Sequence, residues 1–199
     1  MSVRAQRVEG LPTELEGGRS TGWWGMGLFI TTELAIFGSA LASYFYLRSQ
    51  APTWPPAGIE EPDVLYGSIL TVILLSSSIP VWFAERSIRR GNTAGLRMWF
   101  AIALVLALIF LGMQAYEWHA SGFTQRDGAY GSLWFTITGL HGAHVIGAVL
   151  IVGLLLVRSF RGHFDEEHHL AVSVGALYWH FVDVVWIFIF VSLYLSPHL

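Results

Sequence analysis

The chain has 199 residues, of which 54% are hydrophobic and only 13% charged, with a formal net charge of −3 and no cysteine. Soluble domains carry about 25% charged residues, so a water-soluble globule is excluded. The missing thiols exclude disulfides, cysteine-ligated clusters and thiolate copper sites.

Residues 1–21 read as a polar tail that mixes Arg4, Arg7 and Arg19 with Glu9, Glu14 and Glu16. The tail lacks the apolar core that a cleavable signal needs. Five apolar runs follow, at 23–47, 64–84, 96–118, 132–157 and 170–195. Each exceeds the roughly 20 residues that cross a hydrocarbon core of about 30 Å. The expectation is one all-α polytopic membrane domain over 22–199, with five transmembrane helices.

In the first run Trp23 and Trp24 suit an interfacial aromatic belt. The segment after it carries Pro52, Pro55 and Pro56, which cannot continue a helix and predict a stiff loop. Pro80 removes a backbone donor inside the second run, and Ser76, Ser77 and Ser78 stand close enough to satisfy the freed carbonyl. The next connection carries Arg86, Arg89 and Arg90. Arg86 and Arg90 are candidate contacts for anionic lipid headgroups, although a plain topology signal explains the cluster equally well. The third run is aliphatic until Gln114, Tyr116, Glu117 and His119, which read as interfacial polar residues.

All basic residues are arginine, and nine of the eleven fall in the tail or in the second and fourth connections. Only Arg48 and Arg126 fall on the other side. The positive-inside rule then predicts a cytoplasmic N-terminus and an external C-terminus.

Near the middle of the runs stand five polar groups: Glu33, His141, His144, His180 and Asp183. An ionised group at the bilayer centre costs about 2.5–3.5 kcal/mol on insertion scales, so these predict a polar network inside the bundle. His141 and His144 are three apart and share a helix face, as do His180 and Asp183. Spacing leaves three readings open. The groups could satisfy one another across helices, handle protons or lipid, or supply imidazoles to a metal or haem. The Glu-x-x-His pairs that di-iron bundles carry on two of their helices are missing from the apolar runs.

The segment YWHFVDVVWIFIFVSLYL (178–195) resembles the last helix of subunit III of haem–copper oxidases of the cytochrome c oxidase type. ITGLHGAHVIG (137–147) resembles that family's paired-histidine helix, and GMGLFITTE (25–33) its acidic helix. WPPAGI (54–59), QAYEW (114–118), DGAYGS (127–132), His163-Phe164 and His168-His169 follow the family's order. Long forms carry two further helices at the start, as five-helix bacterial forms do not. Ser173 stands where many long forms have glutamate, and Leu47 where they have a histidine thought to hold lipid phosphate.

The resemblance implies two helix groups around a phospholipid-holding cleft. It implies an accessory subunit without catalytic residues, metal ligands or cofactors of its own, haem and copper lying in partner subunits. Subunit I is the implied main contact, with subunit II in the same complex, and nucleic acid has no part. Glu33 takes the place of a buried carbodiimide-reactive glutamate. His163, His168 and His169 join Arg86 and Arg90 as candidate lipid contacts. The implied location is a bacterial inner membrane. The alternatives are a subunit-III-like protein associated with nitric oxide reductase, or an independent haem or metal membrane enzyme built on His141, His144 and His180.

Overall fold

A computed structural model describes residues 21–198, so the tail at 1–20 and the last residue lie outside the described residues. Five helices follow one another: α1 Thr21–Gln50, α2 Val64–Ile88, α3 Thr93–Ala120, α4 Gly128–Phe160 and α5 Leu170–Phe190. A wider π turn, Val191–Leu195, and a short 3-10 turn, Ser196–His198, prolong α5. All five are long and apolar enough to cross a membrane, and among the described residues there is no strand.

The helices begin where polar side chains meet their free N–H groups. Asp63 accepts from the backbone N–H of Leu65 at 2.8 Å and of Tyr66 at 3.3 Å, and Asn92 accepts from that of Gly95 at 2.8 Å. Gly91, at φ 69°, lets the chain reverse between α2 and α3. Helix α2 continues unbroken through Pro80.

Helices α2 to α5 form a four-helix core in which α2 meets α3 and α5, and α4 meets α3 and α5. Helix α1 stands outside that core, against α4 and α5, and buries only Phe37 and Tyr44 completely. The interior is aromatic, with Trp134, Trp179, Trp186, Tyr130, Tyr194, Phe100 and Phe110 all at most 2% exposed. Lipid tails are as apolar as leucine, so close packing and cross-helix hydrogen bonds hold such bundles, not exclusion of apolar surface from water. Small residues permit the closeness. A Cβ on Gly67 would lie 2.5 Å from the Tyr194 ring, and one on Gly175 2.7 Å from Leu155. The outward faces expose Leu28, Leu65, Val72, Leu108, Leu150 and Phe188, as lipid-facing surfaces do.

Candidate functional site

The five polar groups do not form one network; they divide into two cross-helix clusters and an isolated imidazole. In the first cluster His144 on α4 reaches α1, with its Nε2 2.8 Å from Glu33 Oε2 and its Nδ1 2.7 Å from the Leu140 carbonyl oxygen. A carbonyl can only accept, so Nδ1 carries a hydrogen. The Nε2–Oε2 contact therefore holds one proton, either on the carboxyl of a neutral pair or on the ring of an ion pair. Both side chains are 13% exposed, and Phe37 covers the ring edge-on at 4.9 Å.

The second cluster ties α5 to α2. Ser78 Oγ lies 2.9 Å from His180 Nδ1 and donates to Asp183 Oδ2. With its one hydrogen given to Asp183, the hydroxyl accepts from Nδ1–H. The serine run therefore acts differently from the expectation. Ser76 and Ser77 donate to the Ile73 and Leu74 carbonyls at 2.7 and 2.6 Å, not to the carbonyl that Pro80 frees, and Ser78 serves α5. Two indoles of α5 reinforce the seam: Trp179 donates to Ser77 Oγ and Trp186 to Thr71 Oγ1, both at 2.9 Å.

His141 stands apart. It is fully buried, and neither ring nitrogen has a hydrogen-bond partner. The rings of Trp186, Phe110 and Phe37 surround it, at 4.9, 5.9 and 6.4 Å. Sharing a face with His144 does not bring it to Glu33.

Glu117 proves more than interfacial. Its Oε2 accepts from Gln114 Nε2 at 2.8 Å and from the Tyr194 hydroxyl at 2.7 Å, which locks the end of α3 to the end of α5. Two arginines also span elements. Arg48 donates to Ser196 Oγ and to its carbonyl at 2.5 and 2.7 Å, and Arg97 donates to Ser159 Oγ and to its carbonyl at 3.2 and 2.7 Å. Sequence reasoning missed Thr71 and Tyr194 and gave Ser77, Ser78 and Gln114 other roles. The one signal was the serine run, which lies in mid-membrane as His180 does.

The candidate lipid contacts gather at the arginine-rich end. Arg86 and Arg90 are exposed, the former with its guanidinium 5.3 Å from the centre of the Trp82 ring. In the fourth connection His163 Nδ1 lies 3.2 Å from the Arg158 carbonyl oxygen. Asp165 Oδ1 accepts from the His168 backbone N–H at 2.6 Å, and its carboxyl is held below the usual carboxylate range by that N–H first and by the His168 ring second. His169 is half-buried and its Nδ1 lacks a partner.

Among the described residues no three His, Asp or Glu side chains gather as a metal ion would require. His144 is turned to Glu33 and Leu140, His180 to Ser78, and His141 to aromatic rings. These imidazoles do not fit a shared metal or an axial haem pair.

The family model for cytochrome c oxidase subunit III matches residues 18–197. The chain is 36% identical over 172 residues to cytochrome c oxidase subunit 3 of Thermostichus vulcanus, covering 86% of this chain and 85% of the relative. It is 38% identical over 173 residues to that of Synechocystis, covering 86% and 74%. The corresponding subunit of Oryctolagus cuniculus is 40% identical over 178 residues, covering 86% and 68%.

Proposed function

The chain belongs to the cytochrome c oxidase subunit III family and is a subunit of a haem–copper oxidase; from that premise we propose that it serves its complex as a non-catalytic accessory subunit. In this reading haem and copper lie in partner subunits, the chain packs chiefly against subunit I with subunit II in the same complex, and it supports proton uptake by subunit I. Phospholipid occupies the open flank beside α1, and Arg86, Arg90, His163, His168 and His169 meet headgroups at the arginine-rich end. The chain crosses a bacterial inner membrane with its N-terminus in the cytoplasm and its C-terminus outside, as the distribution of its arginines favours. The relatives reported above are oxidase subunits, which weighs against an association with nitric oxide reductase.

One observation carries the accessory role. Apart from His141, the mid-membrane polar side chains are spent on joining helices, α1 to α4 through Glu33 and His144, and α2 to α5 through Ser78, His180 and Asp183. Groups used in this way fix packing, and an unpaired partner would be costly in hydrocarbon. The shared proton of Glu33 and His144, at the edge of the bundle, is the feature that favours a proton-handling contribution.

The test compares matched oxidase preparations with and without this chain. Haem and copper should remain stoichiometric after its removal, turnover should slow more at high pH than at low pH, and fewer turnovers should precede inactivation. Loss of haem or copper with the chain would overturn the accessory role. Unchanged pH dependence and lifetime would reduce the role to assembly.

A further inference from the structure

In the seam between α2 and α5 the Ser78 hydroxyl lies between an imidazole and a carboxylate, bonded to His180 Nδ1 and to Asp183 Oδ2. A hydroxyl can donate and accept at once, so it can pass hydrogen from one neighbour to the other. Asp183 is 3% exposed, and Ser78 is its hydrogen-bond donor among the described residues. His180 is half-buried. Its Nε2 has no partner among the described residues and, unlike the nitrogens of His141, is not sealed from the bundle surface.

The charged neighbours leave this group to itself. Helix α5 packs against α1, α2 and α4. On α2 the charge that acts on the His180 ring is Glu85, two turns beyond Ser78 and ion-paired with Arg89 at 2.7 Å. On α1 and α4, Glu33 and His144 are turned to each other, and His141 is enclosed by rings. The arginines of these helices are engaged elsewhere, Arg48 with Ser196, Arg86 with Trp82 and Arg158 with Phe164. Among the described residues no cation contacts Asp183.

The three side chains have two complete arrangements of hydrogen that differ by one proton. In the first, Nδ1–H donates to Oγ, the hydroxyl donates to an ionised Asp183, and Nε2 is bare. A proton bound at Nε2 releases the Nδ1 hydrogen to Oγ, and the hydroxyl passes its own hydrogen to Oδ2. In the second, Asp183 donates to Oγ, the hydroxyl donates to Nδ1, and the ring keeps its hydrogen on Nε2. Both hydrogen bonds survive with their directions reversed, and the ring is neutral before and after. The net change is one charge removed from Asp183, where hydrocarbon makes an ionised group costly.

We propose that Ser78, His180 and Asp183 form a proton-accepting site, in which a proton taken at His180 Nε2 is relayed by Ser78 and held on Asp183. The site is separate from the Glu33–His144 pair, which joins other helices. It concerns three residues of one chain and does not rest on how that chain meets other subunits. The seam thus has a second role beside packing.

The experiment follows infrared difference spectra of the purified complex through a pH titration. Isotope-labelled histidine reports ring tautomers, and His180→Gln assigns the signal of that ring. As pH falls, a protonated-carboxyl band should grow in step with a shift of His180 from the Nδ1–H to the Nε2–H tautomer. Asp183→Asn should abolish the band, and Glu33→Gln should leave it. Ser78→Thr keeps a hydroxyl and should retain the tautomer shift, which Ser78→Ala should abolish. Asp183→Asn preserves an acceptor for Ser78 and keeps the test decisive if Ser78→Ala fails to assemble. A band that persists in Asp183→Asn, or an imidazolium signal from His180 in place of the band, overturns the proposal. So does a tautomer shift that survives in Ser78→Ala, because the ring would then change without the relay.

Discussion

Glu33 and His144 show how one backbone contact limits what a side chain can be. Because Nδ1 is committed to the Leu140 carbonyl, the ring can meet Glu33 only through a proton held between them. A carbodiimide attacks a carboxyl that carries its proton, so Glu33 should be labelled in preference to Glu85, which is ion-paired with Arg89 at 2.7 Å. Peptide mapping after treatment with a hydrophobic carbodiimide would reveal this, and even labelling of the two would mean that the pair is ionic. Asp165 offers a pH-dependent counterpart in the fourth connection. Its folded-state pKa is depressed, so its contribution is present above the unfolded value of about 3.9 and is lost as pH falls through the lowered folded value. The protection factors of the Glu167 and His168 amides should therefore fall in acid for the native chain and already be low at neutral pH in Asp165→Ala. Equal protection in the two chains would show that the turn holds without the carboxylate.

Between elements, the seam of α2 and α5 depends on a residue that spacing alone did not single out. Ser78→Ala leaves both His180 Nδ1 and Asp183 without the hydroxyl they share, at about 1–3 kcal/mol for each unsatisfied group. Asp183→Asn keeps an oxygen that can accept from Ser78 and should cost less. Yield and thermal stability of the complex should thus fall further for Ser78→Ala than for Asp183→Asn, and the reverse order would mean that water serves Asp183. Gly67→Ala tests close approach, since its methyl would displace Tyr194 and with it the hydroxyl bonded to Glu117. Overpacking of this kind costs about 1–3 kcal/mol, and thermal unfolding of the complex would register it. The helices were legible because twenty-residue apolar runs have few other uses, and the polar groups were legible because hydrocarbon makes them conspicuous. Their partners were not. A serine costs little in a helix and carries no mark of which neighbour it faces, and two residues sharing a face, as His141 and His144 do, can still point to different helices.

At the scale of the whole molecule the absence of cysteine from the sequence provides a direct test of orientation. Arg126 and Glu166 are both exposed and lie at opposite ends of the bundle. In intact cells a membrane-impermeant maleimide should label Arg126→Cys, and it should reach Glu166→Cys only after lysis. The opposite pattern would reverse the proposed topology and contradict the positive-inside expectation. Arginine placement predicts an orientation but says nothing of how α1 is held, because an evenly apolar helix does not reveal which of its faces meets the bundle.

Helix α1 packs mainly against α4 and α5, and its mid-membrane polar link joins Glu33 to His144, 111 residues further along the chain. At translation rates of about 5–20 residues per second, roughly 6–20 s separate their synthesis. Throughout that interval the nascent α1 has no His144 to meet its carboxyl, so a segment made early finds its place late. A ribosome stalled between α3 and α4 should leave α1 removable by dilution into detergent, and a stall beyond α5 should leave it held. Closure of the bundle around α1 therefore waits on α4 and α5, and the carboxyl of α1 stays unmatched until α4 has been made.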